Sequence, residues 1–145
     1  MIDPRVYLTA TDTTIGFVSQ NAARLDTIKA RPPHKHYIIA LPSLRALVAR
    51  TRVPALHARR IRRARRTTFI LPDGRSWRII PEGTHHDLIA RLGWAYTTSA
   101  NRSGHPYDET WARTQADTVI DPLTPPNSHP SRIIRLGRTR MVRVR

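Results

Sequence analysis

The chain has 145 residues, with 25 lysines and arginines against ten acidic residues, and it contains no cysteine. Its formal charge of +15 and pI of about 11.7 favour polyanionic partners such as tRNA, rRNA or nucleotides. Lack of cysteine excludes disulfides, thiolate catalysis and cysteine-based zinc sites, and no apolar run approaches the ~18 residues that span a bilayer.

The length is suited to a single domain over residues 1–145, because a chain of this size can bury one core. We therefore expect a soluble, cytoplasmic protein of one domain, with no membrane partner. Arginine supplies nearly all of the positive charge, so a genome biased towards arginine codons would also explain the basic composition. Lys29 and Lys35 are the only lysines, and their closeness indicates positions where an ammonium is required, with chance clustering as the alternative.

Strands and helices alternate along the chain. The first half is predicted to contain a strand at 6–9, a polar turn at 11–14, a helix at 22–30 capped by Asn21, a strand at 37–41 and a short helix capped by Ser43. The second half is predicted to contain a hairpin of 67–71 with 76–80, a helix from Thr84 to Gly93, a strand at 94–98, a helix after Asp108, a strand at 118–120, a proline-rich loop at 122–130 and a hairpin of 133–136 with 141–144.

Helical spacing predicts which side chains face the core. In the first helix we expect Ala23, Ile28 and Leu25 to face inward, and in the second Leu44, Leu47 and Val48. Thr84 with Asp87 resembles a capping box. The adjacent histidines at 85 and 86 have no third ligand at metal spacing, so the sequence predicts no metal site there.

Two polar stretches lie beside predicted strands or helix ends. In residues 9–17 (TATDTTIGF), the hydroxyls of Thr11 and Thr13 can bind a carboxylate or a phosphate, or can simply stabilise the turn. In residues 28–35 (IKARPPHK), Lys29 and Arg31 follow a helix. They either stabilise the helix C-terminus or clamp phosphates.

A third stretch, residues 96–104 (YTTSANRSG), ends a strand with Ser99 and Asn101, at the kind of sheet edge where ligands bind. Together the three stretches resemble the PTDTxYGL, KxR and SxN motifs of the YrdC-like threonylcarbamoyl-AMP synthase family, with Ala10 where proline is usual. Residues 130–137 (PSRIIRLG) resemble part of the family's C-terminal half. The resemblance implies the YrdC-like fold, a twisted, mixed open α/β sheet flanked by helices, which agrees with the alternation of elements.

The resemblance also implies a nucleotidyltransferase that condenses L-threonine, bicarbonate and ATP, with Mg²⁺ as counterion, into threonylcarbamoyl-AMP and pyrophosphate for tRNA modification, alongside partner proteins of that pathway. The catalytic residues it implies are Lys29, Arg31, Ser99 and Asn101. The ATP-binding residues it implies are Lys29, Arg31, Lys35, Thr68, Ser99, Asn101 and Arg135. The threonine-binding residues it implies are Thr11, Thr13, Thr97 and Ser131.

A run of six arginines in eight positions stands outside these motifs. Its members are Arg59, Arg60, Arg62, Arg63, Arg65 and Arg66. Like charges at helical spacing repel each other unless an anion lies against them, so the run indicates an RNA contact, with a solvated helix face as the alternative. Two other functions therefore stay open beside the synthase: a non-catalytic module of the same fold that binds double-stranded RNA or tRNA, and a regulatory nucleotide binder.

Overall fold

The computed structural model describes residues 1–30, 36–124 and 129–145. Within these ranges there are nine strands: β1 (Tyr7–Ala10), β2 (Ile15–Ser19), β3 (Ile38–Leu41), β4 (Thr67–Ile70), β5 (Ser76–Ile79), β6 (Ala95–Ser99), β7 (Thr118–Ile120), β8 (Arg132–Leu136) and β9 (Met141–Arg143). They form one sheet in the order β7-β1-β2-β6-β3-β5-β4-β8-β9. The pairs β1–β7, β3–β5 and β4–β8 are parallel and the others antiparallel, which confirms the predicted mixed α/β sheet.

Five α-helices lie in the same ranges: α1 (Ala22–Lys29), α2 (Leu44–Val48), α3 (Ala58–Arg63), α4 (Thr84–Leu92) and α5 (Glu109–Gln115). Asn21, Ser43 and Asp108 cap α1, α2 and α5 with side-chain oxygens that accept backbone N–H groups, as predicted. None of these helices is long and apolar enough to span a bilayer.

The two faces of the sheet carry different helices, because successive side chains of a strand point to opposite faces. On one face, here called the α4 face, Leu88 and Ile89 of α4 pack against Ala40 and Ile80. On the opposite face, Leu25 of α1 and Ala112 of α5 pack at one end, and Leu47 of α2 and Ile61 of α3 at the other. In β5, Trp77 belongs to the α2–α3 core, so its neighbour Arg78 points to the α4 face.

Two of the orientations predicted from helical spacing are wrong, and so is one predicted cap. Ala23 is exposed, whereas Leu25 is buried in α1 as predicted. Val48 is 56% exposed, whereas Leu47 is buried in α2 as predicted. Thr84 is not the cap of α4: Gly83, with φ of 146°, precedes the helix and no side chain caps it, so Thr84 is already the first helical residue.

Candidate functional site

Polar residues at the ends of β1 and β6 line a cavity of about 230 Å³ on the α4 face. Thr11 and Thr13 come from the turn after β1, and Thr97 and Ser99 from the end of β6. The remaining lining residues are Thr14, Gly16, His36, Tyr37, Ile38, Arg78, Thr98, Pro130, Ser131 and Arg145. The walls therefore combine hydroxyls with two guanidinium groups, and no carboxylate lines the cavity among residues that the structure describes.

Arg78 is the buried charge of this cavity, with 4% of its surface exposed. Its Nη2 donates to Oδ1 of Asp12, and its Nη1 donates to Oγ1 of Thr13 at 3.4 Å. Burial lowers the pKa of the Arg78 guanidinium to about 10, so it stays protonated at neutral pH. Arg78 Nε and Asp12 Oδ2 are buried and have no hydrogen-bond partner in the described part of the chain.

Close backbone approach at Gly16 sets the floor of the cavity. A Cβ at this position would lie 3.0 Å from the carbonyl oxygen of Thr98 and 3.2 Å from Cγ2 of Thr11. Both distances are too short for a relaxed contact, so a glycine allows β2 to pass under the two threonines. The Thr11 hydroxyl is in turn held in the turn by the backbone N–H of Thr14 at 3.0 Å.

Ser131 lines the cavity where β4 and β8 run in parallel, and the fully buried Thr68 of β4 lies behind it. Their hydroxyls lie 2.8 Å apart and are buried. Arg145 holds Ser131 in place, because its Nη2 donates to the Ser131 carbonyl oxygen at 2.8 Å and its Nε to the same oxygen at 3.0 Å. The guanidinium of Arg145 is thus held by a backbone carbonyl oxygen and not by a carboxylate.

Lys29 fixes the loop that follows β6. Its side chain is buried, and Nζ donates to the carbonyl oxygens of Ser99 at 2.9 Å and Asn101 at 2.5 Å. In return the Ser103 hydroxyl donates to the Lys29 carbonyl oxygen at 2.9 Å. The Asn101 amide donates to the carbonyl oxygen of His105 at 2.8 Å. These contacts place Lys29 as a support for the loop carrying Ser99 and Asn101.

The other residues predicted from the sequence lie apart from this cavity or outside the described ranges. Arg31 and Lys35 fall outside the described residues. Arg135 lies on β8 with an exposed side chain. Asn101 lines a neighbouring, mostly apolar cavity with Ile15 and Tyr107, to which Ser99 also contributes.

Sequence reasoning missed both guanidinium groups of the cavity. The predicted hairpin of 67–71 with 76–80 is confirmed by β4 and β5, but it gave Arg78 no role in a site, and β5 lies inside the sheet between β3 and β4. The available signal was the arginine itself, because a charged residue flanked by Trp77 and Ile79 in a strand needs a polar partner if the strand is central. Arg145 had no local signal.

A second cavity, of about 220 Å³, lies beyond the Thr11–Asp12 turn at the start of α4. His85 lines it, and burial lowers the pKa of the imidazole to about 3, with smaller contributions from the charges of Arg78 and His86. Both ring nitrogens lack a hydrogen-bond partner within the described ranges. No group of three or more His, Cys, Asp or Glu side chains in these ranges is arranged to hold a metal ion.

The buried His85 predicts that stability falls as the pH drops below about 6.5. An unfolded histidine takes up a proton near that pH, while the folded one stays neutral until about pH 3, so the unfolded state binds more protons in between. We expect urea unfolding at pH 5 to give a free energy up to about 2 kcal/mol below that at pH 7.5. Carboxylates with a lowered pKa, such as Asp117 beside the Val6 amide, act only below about pH 4.

His85→Gln should remove this dependence between pH 7.5 and 5, whereas the exposed His105→Gln should keep it. Equal free energies of wild-type unfolding at the two pH values would contradict the prediction.

No family model matches the sequence. An uncharacterized protein of Mycoplasma pneumoniae, the MG259 homolog, is 30% identical over 150 residues, which cover 92% of this chain and 30% of that protein. The chain therefore spans less than a third of the curated relative that it matches.

Several solved structures resemble this chain in fold. P. abyssi Sua5, as the H234A/Y235A variant, superposes with a TM-score of 0.85 at 20% identity, covering 97% of this chain and 52% of the other. Sua5 complexed with L-threonine gives 0.82 at 20% identity, covering 97% and 50%. E. coli YciO gives 0.74 at 20% identity, covering 98% and 82%. At these identities the likeness establishes the fold.

Proposed function

We propose, from the YrdC-like fold that this chain shares with Sua5 and YciO, that it binds ATP and L-threonine on the α4 face and forms threonylcarbamoyl-AMP for tRNA modification. The observation that carries the proposal is the cavity in which the buried Arg78 meets the hydroxyls of Thr13 and its neighbours. The solved Sua5 complex contains L-threonine. The chain spans about half of Sua5, so the activity of this shorter chain is a proposal and not an extension of the fold.

The proposed reaction has two steps. The threonine amine and bicarbonate form a carbamate with loss of water, and a carbamate oxygen then attacks the α-phosphorus of ATP. The bond from the α-phosphorus to the bridging oxygen breaks, and pyrophosphate leaves. Such a transfer depends on positioning and on neutralising phosphate charge, and it requires no nucleophile from the protein.

Different residues of the site would position the substrates and neutralise phosphate charge. Arg78 and Arg145 place positive charge where carboxylate or phosphate oxygens would bind. The hydroxyls of Thr11, Thr13 and Thr97 can orient threonine, and Ser131, hydrogen-bonded to Thr68, continues the polar lining. Lys29 holds the loop with Ser99 and Asn101. Arg31 lies outside the described residues, and its role in binding phosphate is proposed from the resemblance to the KxR motif alone.

Mg²⁺ enters this proposal together with ATP, as the counterion of its phosphates, and supplies charge neutralisation when bound. The only carboxylate beside the cavity, among the described residues, is Asp12, and Arg78 occupies one of its oxygens. The site residues thus fit a metal carried by the nucleotide better than a metal held by a protein cage.

Release of pyrophosphate tests the proposal. Purified protein with ATP, Mg²⁺, bicarbonate and L-threonine should release pyrophosphate, and omission of either threonine or bicarbonate should stop the release. Release that is independent of threonine would indicate a different nucleotide reaction, and binding of ATP without any release would favour the regulatory nucleotide binder.

Asn101→Ala and Arg31→Ala should each weaken ATP binding by ~1 to 3 kcal/mol, the usual cost of losing a buried or charged hydrogen-bond partner. In Asn101→Ala the loop loses the amide that bonds to His105. Isothermal titration calorimetry measures the affinity, with the exposed Thr114→Ala of α5 as control. Wild-type affinity in both variants would remove these two residues from the site.

A further inference from the structure

The acidic residues of the chain are unevenly distributed. Segments 27–72 and 122–145 contain no aspartate or glutamate. The fold places these two segments side by side, because β4 pairs in parallel with β8, from Thr67 opposite Arg132 to Ile70 opposite Arg135. The end of the sheet formed by β4, β8 and β9 therefore belongs to chain segments that contain basic residues and no acidic residues.

Exposed arginines cover this end on the face opposite the cavity. Ile61 anchors α3 against Trp77 and Leu136, and the helix lies on the face away from Arg78. All six arginines of the run are exposed: Arg59, Arg60, Arg62, Arg63, Arg65 and Arg66. In the described part of the chain, arginine–carboxylate pairs form only at Arg5, Arg24, Arg78 and Arg113.

The β8–β9 hairpin extends the same surface. Leu136 packs beside Ile61, so Ile134 and Arg132, two and four positions earlier in β8, point to the α3 side. Arg143 pairs opposite Ile134 and shares that side. The guanidinium of Arg60 contacts Sδ of Met141, which joins α3 to the hairpin. We call the run together with Arg132 and Arg143 the arginine face.

We propose that the arginine face binds the phosphate backbone of duplex RNA, independently of the cavity on the α4 face. So many like charges repel one another, and an external polyanion relieves the repulsion that no internal carboxylate does. The guanidinium fork matches phosphate oxygens in a bidentate manner, which an ammonium does not. This inference does not depend on the synthase proposal, because the two sites use different residues on opposite faces.

The shape and composition of the face favour a duplex over other polyanions. Single-stranded nucleic acid is bound through exposed aromatic side chains, and the exposed large apolar residues of α3 and the hairpin in the described ranges are aliphatic or Met: Met141, Val142 and Val144. The wide, shallow minor groove of A-form RNA offers phosphates and 2′-hydroxyls that such a cationic surface can contact across the backbone.

Salt dependence of binding tests the proposal, with a duplex RNA of mixed sequence as the probe. If about four arginines touch phosphates, log K should fall with log salt at a slope of roughly −3 to −4, so that doubling the salt weakens binding about ten-fold. The slope should depend little on base sequence. The triple variant Arg60→Gln/Arg63→Gln/Arg66→Gln should flatten the slope by about two or three units and leave ATP affinity unchanged.

A control variant that loses the same number of positive charges distinguishes binding by the arginine face from an effect of net charge alone. Arg5, Arg75 and Arg91 are exposed and belong neither to α3 nor to the hairpin, and their triple replacement by glutamine should keep the wild-type slope. Arg143→Gln, on a different element from the run, is a second variant and should flatten the slope by about one unit.

An unchanged slope in the arginine-face variants, or an equal flattening in the control, would overturn the proposal. Tighter binding to duplex DNA, to single-stranded RNA or to anionic phospholipid vesicles than to duplex RNA would also overturn it. So would a parallel loss of ATP affinity, since the two sites would then be one.

Discussion

Replacing Arg78 with methionine is expected to abolish threonine-dependent pyrophosphate release and to destabilise the fold by about 3 to 5 kcal/mol, the usual cost of removing one partner of a buried ion pair. Arg78 is 4% exposed and bonds to Asp12, so the substitution leaves the carboxylate of Asp12, whose side chain is only 14% exposed, without its partner. It also removes a guanidinium from the cavity wall. Chemical denaturation measures the first effect and the pyrophosphate assay the second.

The double variant Arg78→Met/Asp12→Asn separates these two effects. Neutralising Asp12 removes the uncompensated charge, so the double variant should recover part of the lost stability, while its activity should stay absent. Arg75→Met, an exposed change in the β4–β5 turn, is the matched control and should resemble wild type. Wild-type stability and turnover in Arg78→Met would show that the buried pair has no part in the site.

Lys29→Arg should lower the rate of pyrophosphate release by at least about ten-fold although the charge is kept, because a planar fork cannot occupy the position of a compact ammonium. The wild-type Nζ donates to two carbonyl oxygens, of Ser99 and Asn101, from a buried position. A longer guanidinium would shift the loop that both residues belong to. The exposed pair of Arg24 with Asp117 on the same helix gives the control Arg24→Lys.

A supporting role for Lys29 is distinguishable from a purely structural one. Lys29→Met should lose ~1 to 3 kcal/mol of stability, because carbonyl oxygens are left without a donor. Lys29→Arg should instead unfold close to the wild-type midpoint and lose turnover, with kcat falling more than KM rises. Full activity in Lys29→Arg would mean that any cation suffices at this position.

The sequence predicted well those elements whose signals are local. A capping side chain such as Asn21 or Ser43 marks a helix start within a few residues, and both helices begin where these residues indicate. The continuous apolar run at 37–41 is a strand in the middle of the sheet. The resemblance of three short motifs indicated the fold, which the solved structures confirm.

Long-range pairing explains what the sequence did not predict. β2 was missed because the sequence predicted only a polar turn at 11–14 and no element at 15–19, although Phe17 and Val18 are fully buried between β1 and β6. Arg78 reads as a surface residue until β3 is known to pair with β5 on its other side. Arg145 reaches the cavity only because β8 lies beside β4, a pairing between segments about 65 positions apart. The predicted roles of Arg31 and Lys35 stay predictions.

Formation of the acyl-adenylate from labelled bicarbonate tests the central claim most directly. Protein incubated with ¹³C-bicarbonate, ATP, Mg²⁺ and L-threonine should yield threonylcarbamoyl-AMP that carries the label in its carbamoyl carbon, detected by mass spectrometry, together with equimolar pyrophosphate. Arg78→Met/Asp12→Asn, treated in the same way, should yield none. Complete absence of labelled product from wild-type protein that is folded and binds ATP would contradict the synthase assignment.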